Sequence, residues 1–131
     1  KGVRLMSRKL ISTGSDFETT AGYSRAVVQD KWCFVSGTTG YDYSTMMMPD
    51  DVSEQTKNCL ATIDKAILDA GFERKDIIKA QYFINDDSYA DIVFPILGEF
   101  FKGIQPAATM IVAGLIRKEM KIEIEVTALK A

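Results

Sequence analysis

Histidine is absent from the 131 residues. That removes the side chain most often used as a general base near neutral pH, and with it the commonest metal ligand. Ser-His-Asp and Cys-His nucleophile arrangements are excluded for the same reason. Cysteine is scarce: Cys33 and Cys59 stand 26 positions apart, which matches no zinc-ligand spacing. Each falls where an apolar residue belongs, Cys33 in the strand-like run KWCFVSG and Cys59 on an apolar helix face. Both are expected to be reduced, buried thiols of a cytoplasmic protein. Neither a metal nor a cofactor is expected.

Long hydrophobic runs are missing too. None approaches the roughly 18 residues that a membrane-spanning helix needs. The start, KGVRLMSRKLIS, carries basic residues with no apolar h-region behind them, so no signal peptide is expected. There is no excess of positive charge. Sixteen Lys and Arg against eighteen Asp and Glu leave a formal charge of −2, and the pI is about 5.1. A sequence-independent grip on nucleic acid needs the opposite balance. SGTTG (residues 36–40) is too short for a phosphate-binding loop and lacks the following Lys-Ser/Thr.

What remains is an ordinary globular composition, 47% hydrophobic and 26% charged, in a length that suits one domain over residues 1–131. GYSRAVVQDKWCFVSG reads as two strands joined by a tight turn at Gln29, Asp30 and Lys31. Asp51 is placed to cap a helix, with Glu54 three residues on in the capping-box position. Val52, Cys59, Leu60, Ile63, Ile67 and Ala70 then recur at helical spacing until Gly71 closes the element. DIIKAQYFIND is a strand rich in β-branched and aromatic residues. A second helix is expected over about Ser88 to Phe101, where Pro95 demands a kink or a later start. ATMIVAGL and KIEIEVTAL are the last strands. In the final one Lys121, Glu123, Glu125 and Thr127 alternate with Ile122, Ile124, Val126 and Ala128.

The order β-β-α-β-α-β-β predicts an α+β domain with two helices on one face of a mixed sheet. Thr109 to Leu115 and much of Ile77 to Ile84 are apolar on both faces. Such strands need covering on both sides, and two helices cover one. The bare face is therefore expected to bury against another copy of the chain.

Few residues carry chemistry. Asp50–Asp51 and Asp86–Asp87 each precede a helix, where capping accounts for them. Tyr23 and Arg25, two apart, are expected on one face of the first strand. Ser36 and Gly37 end the second, where glycine admits a close approach to the backbone. Glu123 projects from the last strand. The bland alternatives are a sheet-surface aromatic for Tyr23 and solvated strand charges for Arg25 and Glu123.

Taken in order, the Gly22-Tyr23 pair, Ser36-Gly37 thirteen residues later, the helix DVSEQTKNCLATIDKAILDAG, LGEFF, QPAAT and the closing KIEIEVTAL resemble the Rid family, the YjgF-like reactive intermediate/imine deaminases. The resemblance spans about residues 20–129. It implies a chorismate-mutase-like fold and a homotrimer with small-molecule sites in the inter-subunit clefts. In deaminating members an arginine grips the substrate carboxylate, water attacks the carbon of a 2-imino acid, and ammonia leaves with a 2-keto acid. By motif match Tyr23, Ser36, Gly37 and Glu123 line the cleft, with Glu123 and Tyr23 as the candidate catalytic groups.

The departure falls in QPAATM. Deaminating members read Pro-x-Arg-Ser/Thr here, whereas this chain has Pro106-Ala107-Ala108-Thr109, followed by Met110 where the family often has Cys. Ala108 thus stands at the arginine position, and the same ungapped register puts Glu123 on the family glutamate. Losing a bidentate pair to a carboxylate is expected to cost about 2–5 kcal/mol in a cleft. Arg25, from Tyr23's strand face, is the candidate substitute, and Arg117 a weaker one. Three readings follow: an imine or enamine hydrolase of altered specificity, a non-catalytic trimer holding a metabolite near Ala108, Thr109 and Met110, and, last, an endoribonuclease.

Overall fold

The computed structural model describes residues 8–131; most of the basic start, residues 1–7, lies outside them. Short strand β1 (Arg8–Ile11) leads through helix α1 (Asp16–Ala21) into the hairpin β2 (Ala26–Gln29) and β3 (Trp32–Thr39). Helix α2 (Val52–Asp69), strand β4 (Ile77–Ile84), helix α3 (Ala90–Phe100), β5 (Ala107–Val112) and β6 (Ile122–Leu129) complete the chain. The six strands form one sheet in the order β1-β2-β3-β6-β4-β5. All pairs are antiparallel except β4–β5, which is parallel and connected through α3. The fold is therefore the expected mixed α+β sheet with helices on one face.

The local signals explain most of these elements. The Asp51 carboxylate accepts from the Glu54 backbone N–H and starts α2. Only that half of the expected box forms, because the Glu54 side chain turns to Lys57 at 3.2 Å. Val52, Cys59, Leu60, Ile63 and Ile67 face the sheet, buried against Val35, Ile124, Val126 and Ala128. The hairpin turns on Asp30 and Lys31, with Gln29 opposite Trp32. Asp30 takes φ 54°, a left-handed backbone that short polar residues tolerate best after glycine. Asp86 caps a 3₁₀ turn over Asp87–Tyr89, and α3 starts only at Ala90 with Pro95 inside it. The later start leaves Pro95 in the interior of α3 all the same, past the first turn where a missing N–H costs nothing.

Two elements go beyond the expected order. β1 adds a strand beside β2, and α1 fills the connection. Ser15 accepts from Glu18 N–H at the start of α1 and Gly22 ends it; Ser15-x-x-Glu18 is the capping pattern that flagged α2.

Cys33 and Cys59 are free and buried. Burial pushes the Cys33 thiol up to about 11, and burial followed by the Glu123 charge pushes Cys59 higher still, so neither is a ready nucleophile. On the sheet face turned away from α2 and α3, Trp32 and Phe34 stack with ring centroids 5.7 Å apart and stay 40% and 49% exposed. Ile111 of β5 is exposed beside Phe83. Among the described residues no helix is long and apolar enough to cross a membrane.

Candidate functional site

At the centre of the sheet, β3 carries one extra residue relative to β6: Val35 pairs with Val126 and Thr38 with Ile124. Ser36 and Gly37 form this bulge within β3 rather than at its end, as the sequence reading had it. Bulges re-aim side chains and free backbone groups, which is why they recur beside sites. Ser36 is tied down locally, its N–H donating to Arg25 O at 2.9 Å and its hydroxyl to Ser24 O at 2.6 Å. Its hydroxyl hydrogen is therefore committed, and what it offers a ligand is acceptor capacity alone.

Gly37 is glycine because of Glu123. A Cβ at residue 37 would overlap a Glu123 carboxylate oxygen. The carboxylate thus lies directly on the Gly37 backbone, on the sheet face that Glu125 and Thr127 share by alternation. Burial raises its pKa first and the neighbouring Glu125 charge adds to this, while Arg25 acts in the opposite sense. A half-buried carboxyl held above its ordinary range can hold a proton that an exposed one would lose.

Tyr23 and Arg25 precede β2 instead of lying on it. The expectation of a solvated or cleft-reaching Arg25 is corrected: its side chain is fully buried. Nη1 donates to Gly37 O at 2.7 Å and to Thr38 Oγ1 at 2.9 Å, and Nη2 lies 3.4 Å from the Tyr23 hydroxyl. The guanidinium stacks over Tyr43, 4.6 Å from the ring centroid. Its Nε has no hydrogen-bond acceptor among the described residues, and the Glu18 carboxylate is 3.9 Å away. Folded beneath α1 and the 41–44 loop, the guanidinium is committed to these partners and borders a cavity on the α2 side of the sheet.

Glu18, Thr38 and Tyr43 are the site residues that sequence reasoning missed. Glu18 is buried; burial alone would raise its carboxyl, but hydrogen bonds from Thr13, Ser12 and Ser15 together hold it below the ordinary range. Its signal was the Ser15-x-x-Glu18 spacing. Tyr43 sits in a polar loop with no pattern to mark it.

The second set of predicted residues lies elsewhere. Ala108 pairs with Ala80, Thr109 with Gln81 and Met110 with Tyr82 on β5, an edge strand exposed along most of its length. β4 separates β5 from β6, so Ala108 is about 14 Å from Glu123 by strand spacing and offset. They also face opposite ways. Ala108 shares the side of Tyr82, lining a depression of about 360 Å³ with Leu97, Phe101, Gln105 and Pro106. One chain therefore gathers Tyr23, Arg25, Ser36, Gly37 and Glu123 but leaves Ala108, Thr109 and Met110 apart. Arg117 joins neither set: its guanidinium is 5.6 Å from the Phe17 ring centroid, beside Tyr41 and Glu119.

A larger cavity, about 540 Å³, lies between α2 and the loops that follow β1 and β3, with Thr13, Arg25, Tyr41, Tyr43, Asn58 and Thr62 among its walls. It does not contain Glu123 or Gly37. The carboxylate chemistry is at the bulge, so the bulge is taken as the candidate site.

Comparison with known proteins places this arrangement. The chain is 31% identical to a RutC family protein of Leuconostoc mesenteroides subsp. cremoris, covering 95% of this chain and all of that one. It is 30% identical to the 2-iminobutanoate/2-iminopropanoate deaminase of Rattus norvegicus, covering 94% of this chain and 90% of the deaminase. Among solved structures, Rv2704 of Mycobacterium tuberculosis, a member of the YjgF/YER057c/UK114 family, superposes with a TM-score of 0.87 at 33% identity, covering 95% of this chain and all of that one. Residues 13–130 match the family model described as Endoribonuclease L-PSP, and the chain belongs to that family, the YjgF or Rid proteins that its motifs resemble.

Proposed function

We propose that the chain works as a homotrimer whose inter-subunit clefts hydrolyse a small imine or enamine lacking the usual carboxylate. One observation carries the reading. A half-buried glutamate with a raised pKa rests on the bulge glycine, while Arg25, the one arginine acting on it among the described residues, is buried inside the fold. Two further features support it. The exposed apolar face with Trp32, Phe34 and Ile111 needs covering. A second copy could also bring its β5 edge to the Glu123 side, which one chain cannot do alone.

In the proposed reaction, R₂C=NH and water give R₂C=O and ammonia. Glu123 in its acid form protonates the imine nitrogen, which makes the carbon electrophilic. Its conjugate base then takes a proton from the attacking water, the re-formed acid passes that proton to the carbinolamine nitrogen, and ammonia leaves as the carboxylate takes the hydroxyl proton and C=O forms. Tyr23 orients the substrate from the cleft wall. With Ala108 in place of a guanidinium and Arg25 inaccessible, a 2-imino acid finds no bidentate partner for its carboxylate.

The test compares ammonia release from 2-aminoacrylate and bulkier 2-imino acids, generated in situ, with release from a carboxylate-free ketimine. The native chain is expected to accelerate only the last, and Ala108→Arg to gain on the imino acids. Clear native activity on the imino acids would overturn the specificity part of the reading. A second reading, a non-catalytic trimer holding an apolar metabolite, is favoured by Ala108 and the apolar depression it lines with Leu97, Phe101 and Pro106. In that case no substrate would be turned over, and ligands would raise the melting temperature without release of ammonia. Endoribonuclease activity stands last, against the acidic pI.

A further inference from the structure

Arg25 poses a problem of its own. It is a fully buried cation whose nearest carboxylate among the described residues is 3.9 Å away and whose Nε has no acceptor among them. Buried ions are costly to desolvate, and a loose pair returns little of that cost. An apolar side chain of similar volume would serve stability as well or better. What an apolar side chain cannot do is hold three particular groups at once: the Gly37 carbonyl, the Thr38 hydroxyl and the Tyr23 hydroxyl.

We propose that Arg25 is a positioning residue for Glu123, fixing the bulge on which the carboxylate rests and setting one positive charge behind it. Gly37 is the shared element. Its carbonyl takes the guanidinium at 2.7 Å, while its Cα accepts the carboxylate where a Cβ would stand. The same fork reaches Tyr23, so both candidate catalytic groups are referred to one rigid plane. Arg25 touches no substrate and acts only through them. The role rests on the proposed function for its use in turnover, but its physical content does not.

The groups facing Glu123 from each packed element define its titration. Arg25 comes from the loop before β2 and Glu125 from β6 itself, while Cys59 of α2, on the other side of the sheet, feels the Glu123 charge. Gly37 and Thr39 of β3 and Phe83 of β4 add no titrating charge. Arg25 therefore favours the ionised carboxylate, and Glu125 opposes it.

The experiment is a ¹³C NMR titration of the Glu123 side-chain carboxyl, assigned by its loss in Glu123→Gln. In Arg25→Gln the midpoint is expected to move up, and in Glu125→Gln to move down. An unchanged midpoint in folded Arg25→Gln overturns the proposal. Should Arg25→Gln fail to fold, Arg25→Lys decides. Lysine keeps the charge and loses the planar fork, so the midpoint stays near native while amide exchange at Gly37 and Thr38 accelerates. Native exchange at both positions in Arg25→Lys would overturn it. Ammonia-release assays on the native chain test the catalytic reading separately, so either idea can fail alone.

Discussion

The centre of the sheet and its β5 edge were expected to share one site, and they differ in almost every physical respect. At the β3–β6 junction, Arg25 is sealed, Gly37 has no room for a Cβ, and the Glu123 carboxyl is displaced from its ordinary range. On β5, Ala107, Ala108 and Thr109 are exposed, and none carries a charge. The contrast teaches that the proposed acid–base group is held in place within the single chain, whereas the proposed substrate-facing edge of β5 is left to whatever meets it. Tight packing fixes the first region. The second is free to change without unfolding anything.

Substitutions should break along that line. Arg25→Ala is expected to have the largest effect, a loss of about 3–5 kcal/mol, because it orphans buried acceptors and Glu18 together; urea denaturation would measure it. At the bulge, Gly37→Ala must push the Glu123 carboxylate aside, and because this is the end of a flexible side chain the cost is expected to be no more than about 1 kcal/mol. It should abolish turnover even where the chain remains folded, which thermal melts run beside the ammonia assay would separate.

Glu123→Gln should act in the opposite direction. The folded pKa of Glu123 is raised, so its protonated form suits the fold. Its contribution is present below the unfolded pKa and is lost as pH rises through the folded value. The variant should therefore melt like the native chain near pH 4 and at a higher temperature than it at pH 8, while losing activity. An equal melting point at both pH values would mean that burial of this carboxylate is not felt by the fold. The smallest effect belongs to the edge: Ala108→Arg should change stability by less than about 0.5 kcal/mol. A large destabilisation there would show that β5 is packed more tightly than its exposure implies.

Much of this was legible in the residues. The Asp51 cap, the periodic face of α2 and the strict alternation of β6 are strong local signals, and each formed as expected. The apolar character of β5, read as a strand needing cover on both sides, belongs to an edge strand that one chain leaves exposed. β1 and α1 escaped because four and six residues are too few for periodicity to register, and two consecutive threonines make Asp16–Ala21 a poor helix on propensity. Tertiary contact with β2 and the Ser15 cap hold them in place.

The sequence by itself determined the long elements, the family and the uncharged stretch from Pro106 to Leu115, because periodicity and motif spacing are local properties. Only the tertiary structure decided the fate of Arg25. Two residues from Tyr23, it looked like a second cleft side chain. It is interior because Glu18, Thr38 and Tyr43 close around it, and a side chain's environment is set by partners distant in sequence rather than by its own strand.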